Sequence, residues 1–268
     1  MTPAWQDELA QAFERVPPLE GLRPQDFDVT VLPGYTNRNF RLQRESQDWV
    51  LRIPKTDTNT YIDRVAEAHN HARAAELGLA PAVEWRDVDG TSLTPTLPAR
   101  SLQPGDLVES GLRRKAARAL HRLHASRVEF RGHVDLGELI PRYYRLTPTD
   151  VQRELAARME QAESWIDWLD TRDLPVVASH NDAILDNLLL EGERLWLIDW
   201  EFSSMASPYW DLATLCNAAA LTPPQAADLL NDYCAEGAQM EESVLSVYRD
   251  LLQLLSDCWM AALVPEAP

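Results

Sequence analysis

Pro175-Val176-Val177-Ala178-Ser179-His180-Asn181-Asp182, then Asp186-Asn187-Leu188-Leu189-Leu190, then Leu195-Trp196-Leu197-Ile198-Asp199-Trp200-Glu201 make three short apolar, β-prone runs that end in polar residues. On both sides of this island the apolar residues recur with a 3.6-residue period. That period predicts helices over Leu107 to Leu123, Thr149 to Leu169, Trp210 to Ala220, Pro223 to Tyr233 and Glu242 to Leu263, with Pro223 placed near a helix start. The second part of the chain therefore reads as a helical lobe that carries a small β island.

The first part reads differently. Trp5, Leu9 and Phe13 stand four apart, so Pro3 to Val16 predicts an amphipathic helix. Alternation over Phe27 to Leu32, Asn39 to Gln43 and Trp49 to Ile53 predicts an antiparallel meander, with turn chemistry at Pro33-Gly34-Tyr35-Thr36-Asn37. Thr60 to Leu77 has helical spacing and Gly78 just past its end, and two more short strands are predicted around Ala82 to Trp85 and Leu93 to Leu97. Pro95, Pro98 and Pro104 exclude regular helix between Thr94 and Pro104, which reads as a linker. The fold class expected is α+β in two lobes: residues 1–96, an antiparallel sheet with one inserted helix, and residues 97–268, mainly helical.

Composition narrows the partners. The 268 residues include 42 acidic and 25 basic side chains, a net charge of −17, and 45% are apolar, enough to bury a core. That charge repels nucleic acid and anionic lipid, and it either keeps the surface soluble or concentrates cationic ligands near an acidic cleft. No apolar run is long enough to span a membrane, and Met1 to Arg15 lacks the basic and apolar regions of a secretory signal, so a cytosolic protein is expected. Cys216, Cys234 and Cys258 are odd in number and widely spaced, as buried free thiols are.

The chemistry gathers in the island. Asp182, Asn187 and Asp199 offer carboxylate and amide oxygens at strand ends, which suits a hard cation such as Mg²⁺ that keeps water and phosphate oxygens in its shell. Asp182 and Asn187 have the D-x-x-x-x-N spacing of a phosphoryl-transfer loop, with His180 two residues ahead. A chance His-x-Asp-x4-Asn in a chain of this composition is on the order of one in a hundred. In this reading Asp182 orients a hydroxyl and accepts its proton, while Asn187 and Asp199 hold the metal that bridges phosphates. His180 belongs to the same catalytic loop, either hydrogen-bonding its backbone or acting directly.

His180-Asn181-Asp182 with Asn187, Leu197-Ile198-Asp199-Trp200-Glu201, and Pro208 with Asp211-Leu212-Ala213 resemble the catalytic loop, metal segment and following helix of the choline kinase and aminoglycoside phosphotransferase family, whose fold is protein-kinase-like. In the first lobe, Gly34-Tyr35-Thr36-Asn37-Arg38-Asn39-Phe40, Val50 to Pro54, and Ile62-Asp63-Arg64 with Glu67 resemble the bacterial choline and thiamine kinase branch. The resemblance implies an ATP-dependent, Mg²⁺-dependent kinase. It puts Arg52 where many kinases have a lysine against the nucleotide phosphates, with Glu67 holding it. It also implies that Gly34, Thr36 and Asn37 form the phosphate loop and that backbone groups around Thr96 and Leu97 meet adenine. Arginine at position 52 departs from the common pattern, and so does a phosphate loop with a single glycine.

For the acceptor, aromatic faces bounded by carboxylates would hold an onium ion by cation–π attraction. Trp210 and Glu201 lie near the implied acceptor side, and Asp257 with Trp259 resembles the tryptophan-containing last helix of choline kinases, although Ala262 stands where a second aromatic is common. Choline, ethanolamine or thiamine is the first reading. An aminoglycoside or amino sugar is the second, and a nucleotide-binding pseudokinase scaffold is an alternative of another class.

Overall fold

The computed structural model describes residues 4–55 and 61–263, and the chain divides into two compact units, Met1–Pro98 and Ala99–Pro268. In the first unit, α1 (Ala4–Arg15) precedes an antiparallel five-stranded sheet of β1 (Asp28–Leu32), β2 (Asn37–Arg44), β3 (Gln47–Pro54), β4 (Trp85–Arg86) and β5 (Ser92–Pro95), in the order β1-β2-β3-β5-β4. The α+β class is as expected from the alternation.

The apolar stripe of α1 supplies Leu9, Ala12 and Phe13 to a core completed by Phe40, Leu42, Leu51 and Leu93 from the sheet. Alternation places the opposite residues of β3 on the other face, so Arg52, paired with Asn39 and Ser92 in register, points away from Leu51 and Ile53. The inserted helix, α2, spans Arg64–Glu76. It starts where the Asp63 carboxylate accepts from Val65 N and Ala66 N, both at 3.0 Å. Tyr61 and Ile62 consequently stand outside the helix the periodicity predicted, while Thr60 and Pro3, the two predicted helix starts, lie outside the described residues.

The second unit contains α3 (Ser110–His124), α4 (Leu136–Leu146), α5 (Thr149–Asp170), α6 (Pro208–Ala218), α7 (Pro223–Cys234) and α8 (Glu242–Leu263). Its strands are β6 (Arg100–Ser101), β7 (Val177–Ser179), β8 (Leu188–Glu191), β9 (Arg194–Leu197) and β10 (Ser204–Ala206), which form one sheet β6-β8-β9 and one pair β10-β7. The helix α3 buries Ala116, Ala117, Leu120 and Leu123 and lies against β7 and β9.

Three elements depart from the sequence reading. Within the proline-rich linker, β6 pairs with β8, Arg100 opposite Leu190. The strand β10 pairs with β7 although Ser204-Met205-Ala206 has no β-branched residue. The helix α4 forms around an internal Pro141, which removes a backbone donor and hid the pattern; Leu136, Ile140 and Tyr143 still fall on one buried face, and Asp135 caps the start through Gly137 N at 2.7 Å. Among the described residues no helix is long and apolar enough to cross a membrane.

Candidate active site

The loop after β7 is held from below by one buried carboxylate. Asp211 on α6 accepts from His180 N at 2.8 Å and Asn181 N at 2.7 Å, and faces His124 Nε2 of α3 at 3.0 Å. Burial alone would raise the Asp211 pKa, but the His124 hydrogen bond and charge, with the amide bonds, hold it below the usual carboxylate range. Behind it the Tyr233 hydroxyl lies 2.9 Å from His124 Nδ1, and burial pushes the pKa of that phenol up, so it stays protonated. Trp210, buried on the same helix, donates Nε1 to the Asn181 carbonyl at 3.0 Å. With both amides pinned, Asn181 takes a left-handed φ of 62°, and its side chain donates to Phe202 O and Ser204 Oγ.

This clamp turns Asp182 toward Asn187. The Asn187 Nδ2 donates to the Asp182 carbonyl at 2.9 Å and to Asp182 Oδ2 at 2.8 Å, which leaves the amide oxygen as its remaining polar atom. Asn187 O in turn accepts from Ile198 N at 3.0 Å, so the start of β8 brings the end of the β9 run, and with it Asp199, alongside. Asp199 has a left-handed φ of 63°, uncommon for a non-glycine residue and frequent at functional sites. The Asp182 pKa lies well above the usual carboxylate range: burial is the largest cause, the negative charges of Asp199 and Glu201 follow, and the Asn187 hydrogen bond opposes them. Asp182, Asn187, Asp199 and Glu201 thus form one site with clustered negative charge.

His180 is fully buried under this loop. Its Nε2 lies 2.9 Å from Ile198 O and its Nδ1 accepts from Asp182 N at 3.3 Å, so the ring is neutral with the proton on Nε2. Burial lowers its pKa, in keeping with that form, and the ring lies against Trp200 with centroids 4.5 Å apart.

In the first unit, Gly34 sits where a Cβ would lie 2.5 Å from Asn37 O. Thr36 and Asn37 are buried, with Asn37 Nδ2 donating to Thr36 Oγ1 at 3.1 Å, and Lys55 Nζ reaches the carbonyls of Gly34 and Tyr35. Arg52 Nη2 is hydrogen-bonded to Glu67 Oε1, whose side chain is fully buried. The Thr96 amide donates to Asp48 O at 2.9 Å and Leu97 is half-buried. On α8, Asp257 pairs with Arg158 of α5 at 2.5 Å, and the half-buried Trp259 has its Nε1 buried with no hydrogen-bond partner among the described residues. Two cavities within the second unit, of about 240 and 250 Å³, are lined by neither Asp182, Asn187 nor Asp199.

Sequence reasoning passed over His124, His71 and Arg86, and treated Asp211 and Arg64 only as parts of a pattern. Asp211 had a signal: it is the sole charged residue in Pro208–Ala218, an otherwise apolar segment. His124 is likewise polar on the buried face of α3. Arg86 had none, because its partners lie 15 and 19 residues away.

The family profile described as "Phosphotransferase enzyme family" matches residues 28–243. The chain belongs to that phosphotransferase family. A choline/ethanolamine kinase family protein from Mesorhizobium loti is similar to it with 30% identity and a TM-score of 0.75, over 94% of this chain and 84% of the other. Protein LicA of Haemophilus influenzae is 29% identical over 248 residues, 88% of this chain and 71% of that protein. The choline kinase LicA of Streptococcus pneumoniae shares the fold, with a TM-score of 0.80 at 24% identity over 88% of this chain and 84% of the other. The phosphotransferase therefore has the protein-kinase-like fold that the resemblance implied.

Proposed function

We propose that this phosphotransferase works in the cytosol and transfers the γ-phosphate of ATP to the hydroxyl of a small cationic acceptor such as choline, ethanolamine or thiamine. The observation that carries the reading is the Asp182–Asn187 hydrogen bond at 2.8 Å with Asp199 and Glu201 acting on the same carboxylate. Held this way, Asp182 orients the acceptor hydroxyl; its elevated pKa makes it a stronger base for the departing proton. His180 and Trp210 serve by fixing the loop, since the polar atoms of both rings are engaged by backbone.

The donor set fits Mg²⁺. Asn187 and Asp199 would supply oxygen ligands beside a carboxylate that burial first, and its neighbours' charge second, drive toward protonation, and a divalent cation would relieve that repulsion. Held by Asn187 and Asp199, such a cation would neutralise charge developing on the phosphates. On the nucleotide side, Arg52 with Glu67 contacts the phosphates, the loop of Gly34, Thr36 and Asn37 lies beside them, and Thr96 and Leu97 meet the base.

For the acceptor, the names of the relatives, the net charge of −17 and the half-buried Trp259 favour a small onium ion; Glu201 supplies negative charge, and Asp257, whose charge Arg158 balances, shares the helix of Trp259. An ADP-release screen with Mg-ATP and choline, ethanolamine, thiamine, kanamycin and amino sugars tests this. Turnover highest on an onium alcohol is expected, and turnover confined to kanamycin or amino sugars would replace it with the second reading. Asp182→Ala should lower kcat by about 10²-fold or more while ATP still binds; unchanged turnover would remove Asp182 from the reaction.

A further inference from the structure

Glu67 is held by three arginines from three elements. Its Oε1 accepts from Arg52 on β3 and, at 3.3 Å, from Arg86 Nη1 on β4, while its Oε2 accepts from Arg64 Nη1 at 2.8 Å within α2. Glu67 is fully buried as a side chain, and the side chains of Arg52, Arg64 and Arg86 are 13%, 7% and 14% exposed. The lattice continues one helical turn on. Arg86 Nη2 donates to His71 Nδ1 at 2.9 Å, and His71 Nε2 lies 2.8 Å from the Pro81 carbonyl.

The chemistry of these partners fixes the imidazole. A guanidinium can only donate and a carbonyl can only accept, so His71 must be neutral with its proton on Nε2. Gly90 closes the other side: its carbonyl accepts from Arg52 Nη2 at 3.5 Å, and with φ of +93° its missing Cβ would lie 2.7 Å from Arg64 Cδ. A single carboxylate facing one flexible lysine leaves that lysine free to rotate. Here the carboxylate is fixed on both oxygens, one of its arginines is locked by a histidine, and the planar fork of Arg52 is stopped between Glu67 and Gly90.

We propose that Arg86, His71 and Arg64 are positioning residues which preset the Arg52 guanidinium for the nucleotide phosphates, so that arginine serves where a lysine is common. This rests on the reading of Arg52 as a phosphate contact. The lattice acts through geometry: His71 orients Arg86, Arg86 and Arg64 orient Glu67, and Glu67 orients Arg52.

Asparagine and glutamine at position 71 separate the two bonds of the ring. His71→Asn keeps an acceptor near Nδ1 for Arg86 and loses the Pro81 bond, whereas His71→Gln keeps a donor near Nε2 and loses the acceptor. The test is calorimetric titration with a non-hydrolysable ATP analogue, together with KM for ATP and for the acceptor, on wild type, R52A, R86Q, H71N and H71Q. The lattice predicts that R52A, R86Q and H71Q weaken the analogue by about tenfold and that H71N stays within about twofold, with acceptor KM unmoved throughout. Equal weakening in H71N and H71Q, or wild-type affinity in H71Q beside a weakened R52A, would overturn it. H71Q carries the test should R86Q fail to fold. Wild-type affinity in R52A would instead overturn the phosphate-contact reading.

Discussion

Replacing Asp211 by asparagine keeps the shape of the side chain and removes its charge. The wild-type carboxylate accepts from two backbone amides and His124, three bonds to an ionised acceptor, and is itself fully buried. Asparagine has one acceptor oxygen, so when that oxygen serves Asn181 N its NH2 group faces His180 N, donor against donor. The same NH2 group meets His124 Nε2, so the His180 amide is orphaned at about 1–3 kcal/mol, the His124 bond holds only with Nε2 as acceptor, and the Asn181 bond loses charge assistance of about 1 kcal/mol. An amide is cheaper to desolvate than a carboxylate, which offsets part of this, so the net loss of unfolding free energy is about 2–4 kcal/mol. Because the same amides set the direction of Asp182, kcat should fall by about 10²-fold even where the variant is fully folded. Urea unfolding and steady-state kinetics at a temperature well below both transitions separate the two effects. A variant within about 0.5 kcal/mol of wild type and with unchanged kcat would refute the claim that this carboxylate holds the loop.

Three further outcomes are expected. Gly34→Ala places a methyl group 2.5 Å from Asn37 O and 2.8 Å from Asn39 Nδ2, so the turn must shift, and KM for ATP should rise about tenfold with acceptor KM unchanged; equal ATP kinetics would detach this turn from the nucleotide. Trp259→Ala should raise acceptor KM several-fold and leave ATP parameters close to wild type; identical kinetics for every acceptor would discard the contact. His71 falls from 6.5 to about 4, burial first and the Arg86 charge next, so the folded state resists its protonation. Its contribution is complete above pH 6.5 and is lost as pH falls toward 4, up to about 3 kcal/mol, a loss that His71→Asn should lack in urea titrations at pH 7 and 4.5.

What could be read from the sequence follows from how far apart the partners lie. Asp182 and Asn187 are five residues apart between β7 and β8 and Asp199 follows the apolar run of β9, so all three were legible from local pattern, and the backbone turns left-handed at Asn181 and Asp199 beside them. The five-stranded sheet was legible because Phe40, Leu42, Leu51 and Ile53 alternate, and the burial of one face fixes the register. Where tertiary partners overrode local preference the reading failed: Pro141 sits inside α4 because Leu136, Ile140 and Tyr143 bury a common face, and β6 forms among prolines because β8 offers an edge.

The two anchors differ in the same respect, and the difference bears on how this enzyme tolerates an arginine in a lysine's place. Asp211 betrays itself as a lone charge among apolar neighbours, since burying an ion is too costly to occur without a reason. Arg86 looks like any surface arginine, because nothing near it in sequence indicates that it will meet Glu67 and His71. A lysine reaching phosphate needs little support, being a compact charge on a flexible stem, whereas a guanidinium must arrive with its plane correctly turned. An arginine at position 52 therefore asks for a scaffold that fixes Glu67 from several directions, and Arg64, Arg86 and His71 supply one from α2 and β4. Relatives with lysine at this position have no such requirement, so the residues matching Arg86 and His71 should vary freely there and be kept together with arginine in chains like this one.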